Sequence, residues 1–257
     1  MAKMSVRGLV ALGLFALLVS NAHAEGVPDD CAQLIVGTAP NENSMRGHLQ
    51  LFERANTGAP WKAVAPSVPV LFGKSGVAWG SGLAGQGEQG LHKKERDGRA
   101  PAGVFKIGKI YTYDPQLPPG ADYPFHQVTT ADAWVDDLKS PDYNKFVTID
   151  DPAHPPPWFE KQKMRHNDFA YRWLVEIRHN SDPPVPGDGS AIFFHIRRGE
   201  SRPTAGCTTM AEPNLVRLIT WLRAPKHPCY VLLTTAEYGS RWKAWHLPEP
   251  EIGAEKS

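Results

Sequence analysis

The sequence predicts a mainly β protein, a β-rich α+β fold with long loops and one helix. Three observations carry this reading. Short strand-like runs at residues 33–37, 48–54, 61–65 and 68–73 follow one another closely, parted by Asn, Gly and Pro turns, as in an antiparallel β array. One stretch has the helical period: Leu215, Leu218, Ile219 and Leu222 stand at i, i+3, i+4 and i+7. And 24 prolines and 23 glycines, with 41% hydrophobic residues and no repeat period, describe a loop-rich globular chain rather than a disordered one.

The chain opens on an address. Lys3 and Arg7 make a positive start, Leu9 to Val19 are apolar, and Ala22-His23-Ala24 is an A-x-A cleavage site. Residues 1–24 are therefore expected to be a secretory signal peptide. The apolar run is too short for a membrane span, and no other long one follows, so none is expected after cleavage. The mature chain, residues 25–257 or 257 − 24 = 233 residues, is long enough for a full core and is expected to be a single domain. A formal net charge of +1 argues against a nucleic-acid surface. The sequence leaves the oligomeric state open.

After the first strands, residues 73–98 carry eight glycines and end in Lys93-Lys94-Glu95-Arg96-Asp97. No GxxxxGK[ST] pattern makes this a phosphate cradle. It reads as a solvated loop or, functionally, as a flap or groove wall. Val104 to Tyr113 is the next strand. Residues 114–168 form a Pro-rich insertion whose Trp134, Tyr143 and Trp158 either line a groove or pin the loops to the body, the commoner use of buried aromatics. Tyr171 to Arg178 alternates toward Ala191 to Ile196, a hairpin across residues 180–189. The helix follows, with Pro213 in its first turn, and is expected to pack behind the sheet. Tyr230 to Thr234 closes the sheet, and residues 236–257 read as a polar tail.

Chemistry concentrates at the end of the 191–196 strand. His195 sits where a strand delivers a side chain to a cleft, and Cys207 follows Gly206 after a short interval. A thiol beside glycine is open to close approach of a substrate carbonyl, and a nearby histidine can take its proton. Of three cysteines in an oxidising compartment, one is left over as a reactive thiol. Cys31 precedes the first strand and Cys229 opens the last; they are either a disulfide pair or two separate thiols. His195, Cys207, His227 and Cys229 lack the spacing of a zinc site, so no metal and no cofactor is expected. Arg197, Arg198 and Arg202 crowd the interval between His195 and Cys207, placed to grip carboxylates or simply to face water.

Phe193-Phe194-His195-Ile196, then Pro203-Thr204-Ala205-Gly206-Cys207-Thr208-Thr209-Met210, resembles the active-site signature of the L,D-transpeptidase catalytic domain (YkuD-like) family: a His, a short variable stretch, then Ser/Thr-x-Gly-Cys. Arg99-Ala100-Pro101-Ala102-Gly103-Val104-Phe105 is similar to a Thr-Pro-x-Gly-x-Phe segment of such domains. The interval from His195 to Cys207 is short for the family, and Thr209 stands where an Arg is common, which marks a divergent subgroup. The resemblance spans about Gln33 to Thr235 and implies an L,D-transpeptidase-like β-sandwich. By position it implies Cys207 as nucleophile, His195 as base held by a backbone carbonyl, and Thr204, Gly206 and Thr208 as motif and oxyanion residues. It further implies a periplasmic or envelope enzyme acting on peptidoglycan stem peptides. Such an enzyme attacks the L,D bond of a tetrapeptide stem and passes the acyl group to an amine. Water as acceptor, giving a carboxypeptidase or wall hydrolase, and a non-catalytic envelope-binding protein are the alternatives.

Overall fold

A computed structural model describes residues 26–250; the expected signal peptide lies outside the described residues. The mainly β expectation holds. Strands β1 (Gln33–Ala39), β2 (Arg46–Glu53), β3 (Lys62–Ala63) and β4 (Val68–Leu71) come first. They are followed by β5 (Val77–Trp79) and the long β6 (Ala100–Thr112). The insertion carries β7 (Phe125–Gln127), β8 (Asp132–Trp134), β9 (Phe146–Thr148) and a short helix α1 (Phe159–Gln162). Beyond it lie β10 (Trp173–Ile177), β11 (Phe193–Ile196), β12 (Thr208–Met210), α2 (Glu212–Trp221), β13 (Cys229–Thr234) and α3 (Thr235–Arg241).

Strand pairing runs β1-β13-β6-β10-β11-β12-β4-β2, and β2 pairs back onto β1, so the sheet closes on itself. Closure leaves these strands without bare edges. The first four strands pair antiparallel, as the sequence suggested (β1–β2, β2–β3 and β2–β4), but the sheet as a whole is mixed, because β1–β13 and β11–β12 are parallel. Parallel neighbours need long crossovers, and close spacing along the chain cannot reveal them.

Period-two alternation sends β10 and β11 side chains to two different interiors. Val175, Ile177, Phe194 and Ile196 join the main core, with Leu215, Leu218 and Ile219 of α2. Each of those three helix side chains is essentially fully buried and contributes about 1.5–3 kcal/mol. Leu174 and Phe193 face the other way, into a second cluster with Tyr111 and with Val128, Trp134 and Met164 of the insertion. The insertion is thus an outer layer laid on one face of the sheet, and Trp134 and Tyr143 are buried pins in it.

The expected polar tail is corrected. Residues 235–241 form α3, capped by Thr234, whose hydroxyl accepts from the Glu237 N–H (3.2 Å). Beyond it Trp245 and Leu247 are buried, and the Trp245 carbonyl accepts from Val27 N–H (3.1 Å). Few, unevenly spaced apolar residues concealed this segment. Cys31 and Cys229 are brought together by the β1–β13 pairing, Leu34 opposite Cys229. Both are buried free thiols, each donating to a backbone carbonyl, Cys31 to Gln33 (3.2 Å) and Cys229 to His227 (3.7 Å), so the structure carries the second of the two alternatives the sequence left open. Among the described residues no helix is long and apolar enough to cross a membrane.

Candidate active site

Parallel pairing of β11 with β12 sets Phe194 opposite Thr208 and His195 opposite Thr209. One step earlier in the same register, Cys207 stands beside Phe193. Side chains alternate along both strands, so Phe193, His195, Cys207 and Thr209 share the outer face. His195 and Cys207 are diagonal neighbours across two strands, which sets their Cβ atoms roughly 7 Å apart, with the thiol and the imidazole each hydrogen-bonded to a backbone carbonyl and not to each other. Residues 197–206 form the crossover that carries the chain back to start this parallel neighbour, a short one for such a connection.

The turn before Cys207 is locally built. Thr204 Oγ1 accepts from Gly206 N–H (3.1 Å) and donates to the Cys207 carbonyl (2.6 Å). A Cβ on residue 206 would lie 3.0 Å from the Arg99 carbonyl and 3.1 Å from Ile192 Cδ1, so only glycine fits without displacement. The turn is laced to the segment after β4 by Thr204 N–H to Phe72 O (3.0 Å) and Lys74 N–H to Thr204 O (2.8 Å). Ala191 adopts a left-handed conformation (φ 56°), a strained choice for alanine. Asn144 Oδ1 holds it there by accepting the Ala191 N–H (3.0 Å). The Ala191 carbonyl then receives the Cys207 thiol at 3.5 Å.

His195 is buried, and its Nδ1 donates to the Ile196 carbonyl at 2.9 Å. That bond places the proton on Nδ1 and leaves Nε2 free to act as base. The Tyr171 ring packs edge-on against the imidazole, with centroids 5.1 Å apart. Burial drives the His195 pKa down to about 4, against the Ile196 and Ala170 carbonyls and Asp168, which favour the imidazolium. Cys207 is half-buried. Its pKa is pushed up to about 11 by desolvation, opposed by the Phe193 backbone N–H and by the positive charges of Lys93 and Arg198. The resting pair is a neutral thiol and a neutral imidazole. Their thiolate–imidazolium form arises when a substrate carbonyl is attacked, and such contacts commonly tighten only in the complex.

The remaining expected site residues separate. Thr208 points its side chain inward: its hydroxyl meets the Tyr230 hydroxyl in the core (3.1 Å), which leaves its backbone N–H as the group it could offer an oxyanion. Arg198 is held by Asp168 (2.5 and 3.0 Å) and stacks over Tyr171 (4.6 Å), bracing the ring that packs on His195. Arg197 lies 3.5 Å from Glu200. Arg202 is exposed and makes no ion pair among the described residues, so it is the arginine left open to a carboxylate. Asp168, Tyr171, Asn144 and Lys93 belong to the site's surroundings and carry no sequence signal, because each reaches it from a distant segment.

Glu200 is not a third catalytic member. Its carboxylate is 84% exposed and faces Arg197, while the imidazole is already held by a carbonyl. Glu200→Gln is expected to change turnover by less than about tenfold, where loss of a true triad acid costs about four orders of magnitude. Steady-state rates of the purified variant decide this, and a thousandfold fall with the fold intact would overturn it.

Fold and site together define a closed, β-rich sheet that displays a cysteine and a histidine side by side, in front of a Thr-x-Gly turn. The family model of the L,D-transpeptidase catalytic domain (YkuD) matches residues 62–234, more than half of the sequence. The chain belongs to that family. No curated protein and no solved structure matched it. The match begins at β3, whereas the sequence resemblance was read from about Gln33; β1 and β2 precede it although they complete the same sheet.

Proposed function

We propose that the protein is a peptidoglycan-modifying cysteine acyltransferase of the cell envelope, with Cys207 as nucleophile and His195 as base. The observation that carries this reading is the shared outer face of Cys207 and His195, with Nε2 of the imidazole left unprotonated. Cys207 gives its proton to His195 Nε2 as sulfur bonds to the carbonyl carbon at the L,D bond of a tetrapeptide stem. The C–N bond to the terminal D-alanine breaks, and the imidazolium proton leaves with its amine. An acceptor amine then attacks the thioester and gives a proton to His195, and this proton returns to the departing sulfur. Backbone N–H groups beside Cys207 are the donors available to the carbonyl oxygen as it gains negative charge, while the Phe193 N–H favours the thiolate sulfur.

The acceptor is the open half of this proposal. Incubating the mature protein with tetrapeptide-bearing wall fragments and following them by mass spectrometry is expected to give a new cross-link with loss of alanine. Trimmed tripeptide stems without cross-links would replace transfer with hydrolysis. Unchanged fragments with every plausible amine acceptor supplied would remove the proposal.

A further inference from the structure

The 87–98 segment brings a charge to the back of the nucleophile. Lys93, read from sequence as part of a solvated charge run, is only 4% exposed. Its ammonium donates to Asp97 Oδ1 (2.6 Å) and to the Lys94 carbonyl (2.7 Å). Its stem runs along two glycines of the site. A Cβ on Gly189 would meet Lys93 Cγ at 3.0 Å and Cε at 3.1 Å, and one on Gly206 would meet Cε at 3.6 Å. Lys93 therefore passes directly behind the residue that precedes Cys207. Asp97 does not reserve its charge for Lys93: Oδ1 also accepts the Arg99 N–H (2.8 Å) and Oδ2 the Lys94 N–H (2.7 Å).

We infer that the Lys93 ammonium is a built-in countercharge that favours the Cys207 thiolate, a positioning residue acting on the sulfur through its field. The inference rests on the reading of Cys207 as nucleophile. Lys93 exchanges no proton in the step: the thiol proton goes to His195 Nε2, and the ammonium stays whole. A buried sulfur beside a neutral imidazole has little water to stabilise its negative charge, so a fixed cation in a low-dielectric setting counts for more than a surface one. The other charged or titratable groups around the sulfur are His195, Arg198 with Asp168, and Tyr171 on one side. On the other are Asp97 and Arg99, buried His179, Glu95 bonded to Ser190 and Tyr143, and Glu176 opposite Phe193. Both cations are paired, Arg198 with Asp168 at the rim and Lys93 with Asp97, but Lys93 is the buried one, and its carboxylate partner divides its oxygens among two backbone N–H groups as well.

The test is alkylation of Cys207 by iodoacetamide across pH 6–10 in the full mature protein, with peptide mass mapping to separate it from Cys31 and Cys229. In Lys93→Met the rate–pH curve is expected to move upward by about one unit, so that alkylation at pH 8 falls about tenfold. Lys93→Arg is expected to restore most of the rate. Asp97→Asn, which removes the opposing charge, is expected to move the curve the other way and covers the case in which Lys93→Met does not fold. A curve unchanged in folded Lys93→Met, an Arg variant as slow as the Met variant, or an unmoved curve in Asp97→Asn would each overturn the inference. Because iodoacetamide needs no wall substrate, a shifted curve in a protein that leaves wall fragments untouched would sink the proposed function alone.

Discussion

Cys207→Ala is expected to abolish turnover of tetrapeptide stems while leaving the fold intact, a fall of about six orders of magnitude if the nucleophile alone is lost. The sulfur makes one long contact, to the Ala191 carbonyl, so its removal costs little stability. His195→Ala is expected to be nearly as inactive, because no other base lies on the outer face of β11 and β12 among the described residues. It is also expected to be less stable, since it empties a buried site against Tyr171 and leaves the Ile196 carbonyl without its donor. His195→Gln is the better comparison. Thermal melts beside product analysis separate the two effects, and a folded Cys207→Ala protein that retains wild-type turnover would end the assignment.

Acid is expected to destabilise the protein well before its carboxylates titrate. His195 and His179 are both buried, and burial lowers each pKa to about 4. His179 is fixed as a neutral ring: Nδ1 accepts from Ser81 N–H (3.2 Å) and Nε2 donates to the Asp188 carbonyl (2.9 Å). Below the unfolded value near 6.5 the unfolded chain binds protons that the native chain refuses. Stability therefore falls as pH drops from about 6.5 toward 4, by on the order of 2–3 kcal/mol for each histidine, and levels off below. Glu176 works in the opposite sense: burial raises its pKa, so the native state binds its proton first and gains stability as pH falls. Asp136, whose carboxyl pKa burial also raises, adds to Glu176, and His166, whose pKa burial also lowers, adds to the other two rings; the two deeply buried histidines carry the large shifts and leave a net loss. Urea unfolding at pH 7.5 and 4.5 measures it, and a midpoint that does not move would show that these rings protonate freely in the fold.

The cysteine and histidine proposed as nucleophile and base were legible as a pair because the Thr-Ala-Gly-Cys turn and the strand that ends in His195 are local features, complete within about fifteen residues. The hairpin from β10 to β11 and the helix α2 were legible for the same reason, through their periods of two and 3.6. What escaped notice was assembled from far apart. Lys93 sat in a run of charges that reads as solvated, and only the fold of the 93–98 turn around Asp97 shows that its ammonium is inside. Arg198 read as either a carboxylate grip or a solvated side chain, and its partner Asp168 lies on a segment that no spacing rule connects to it. Thr208 was placed with the oxyanion residues by its neighbourhood to Cys207, yet alternation on β12 turns its hydroxyl to the core.

The closure of the sheet bears on when the site comes into being. β1 leaves the ribosome well before β13, yet they lie side by side, with Leu34 against Cys229. β6, against which β10 and then β11 are laid, takes β13 as its other neighbour. Contacts between segments so far apart in sequence carry a loop-closure cost and form late in folding. A growing chain that has just added Cys207 holds the thiol without the closed sheet that aims it. Reactivity at Cys207 is in this sense a property of the finished molecule, acquired when the last strand docks.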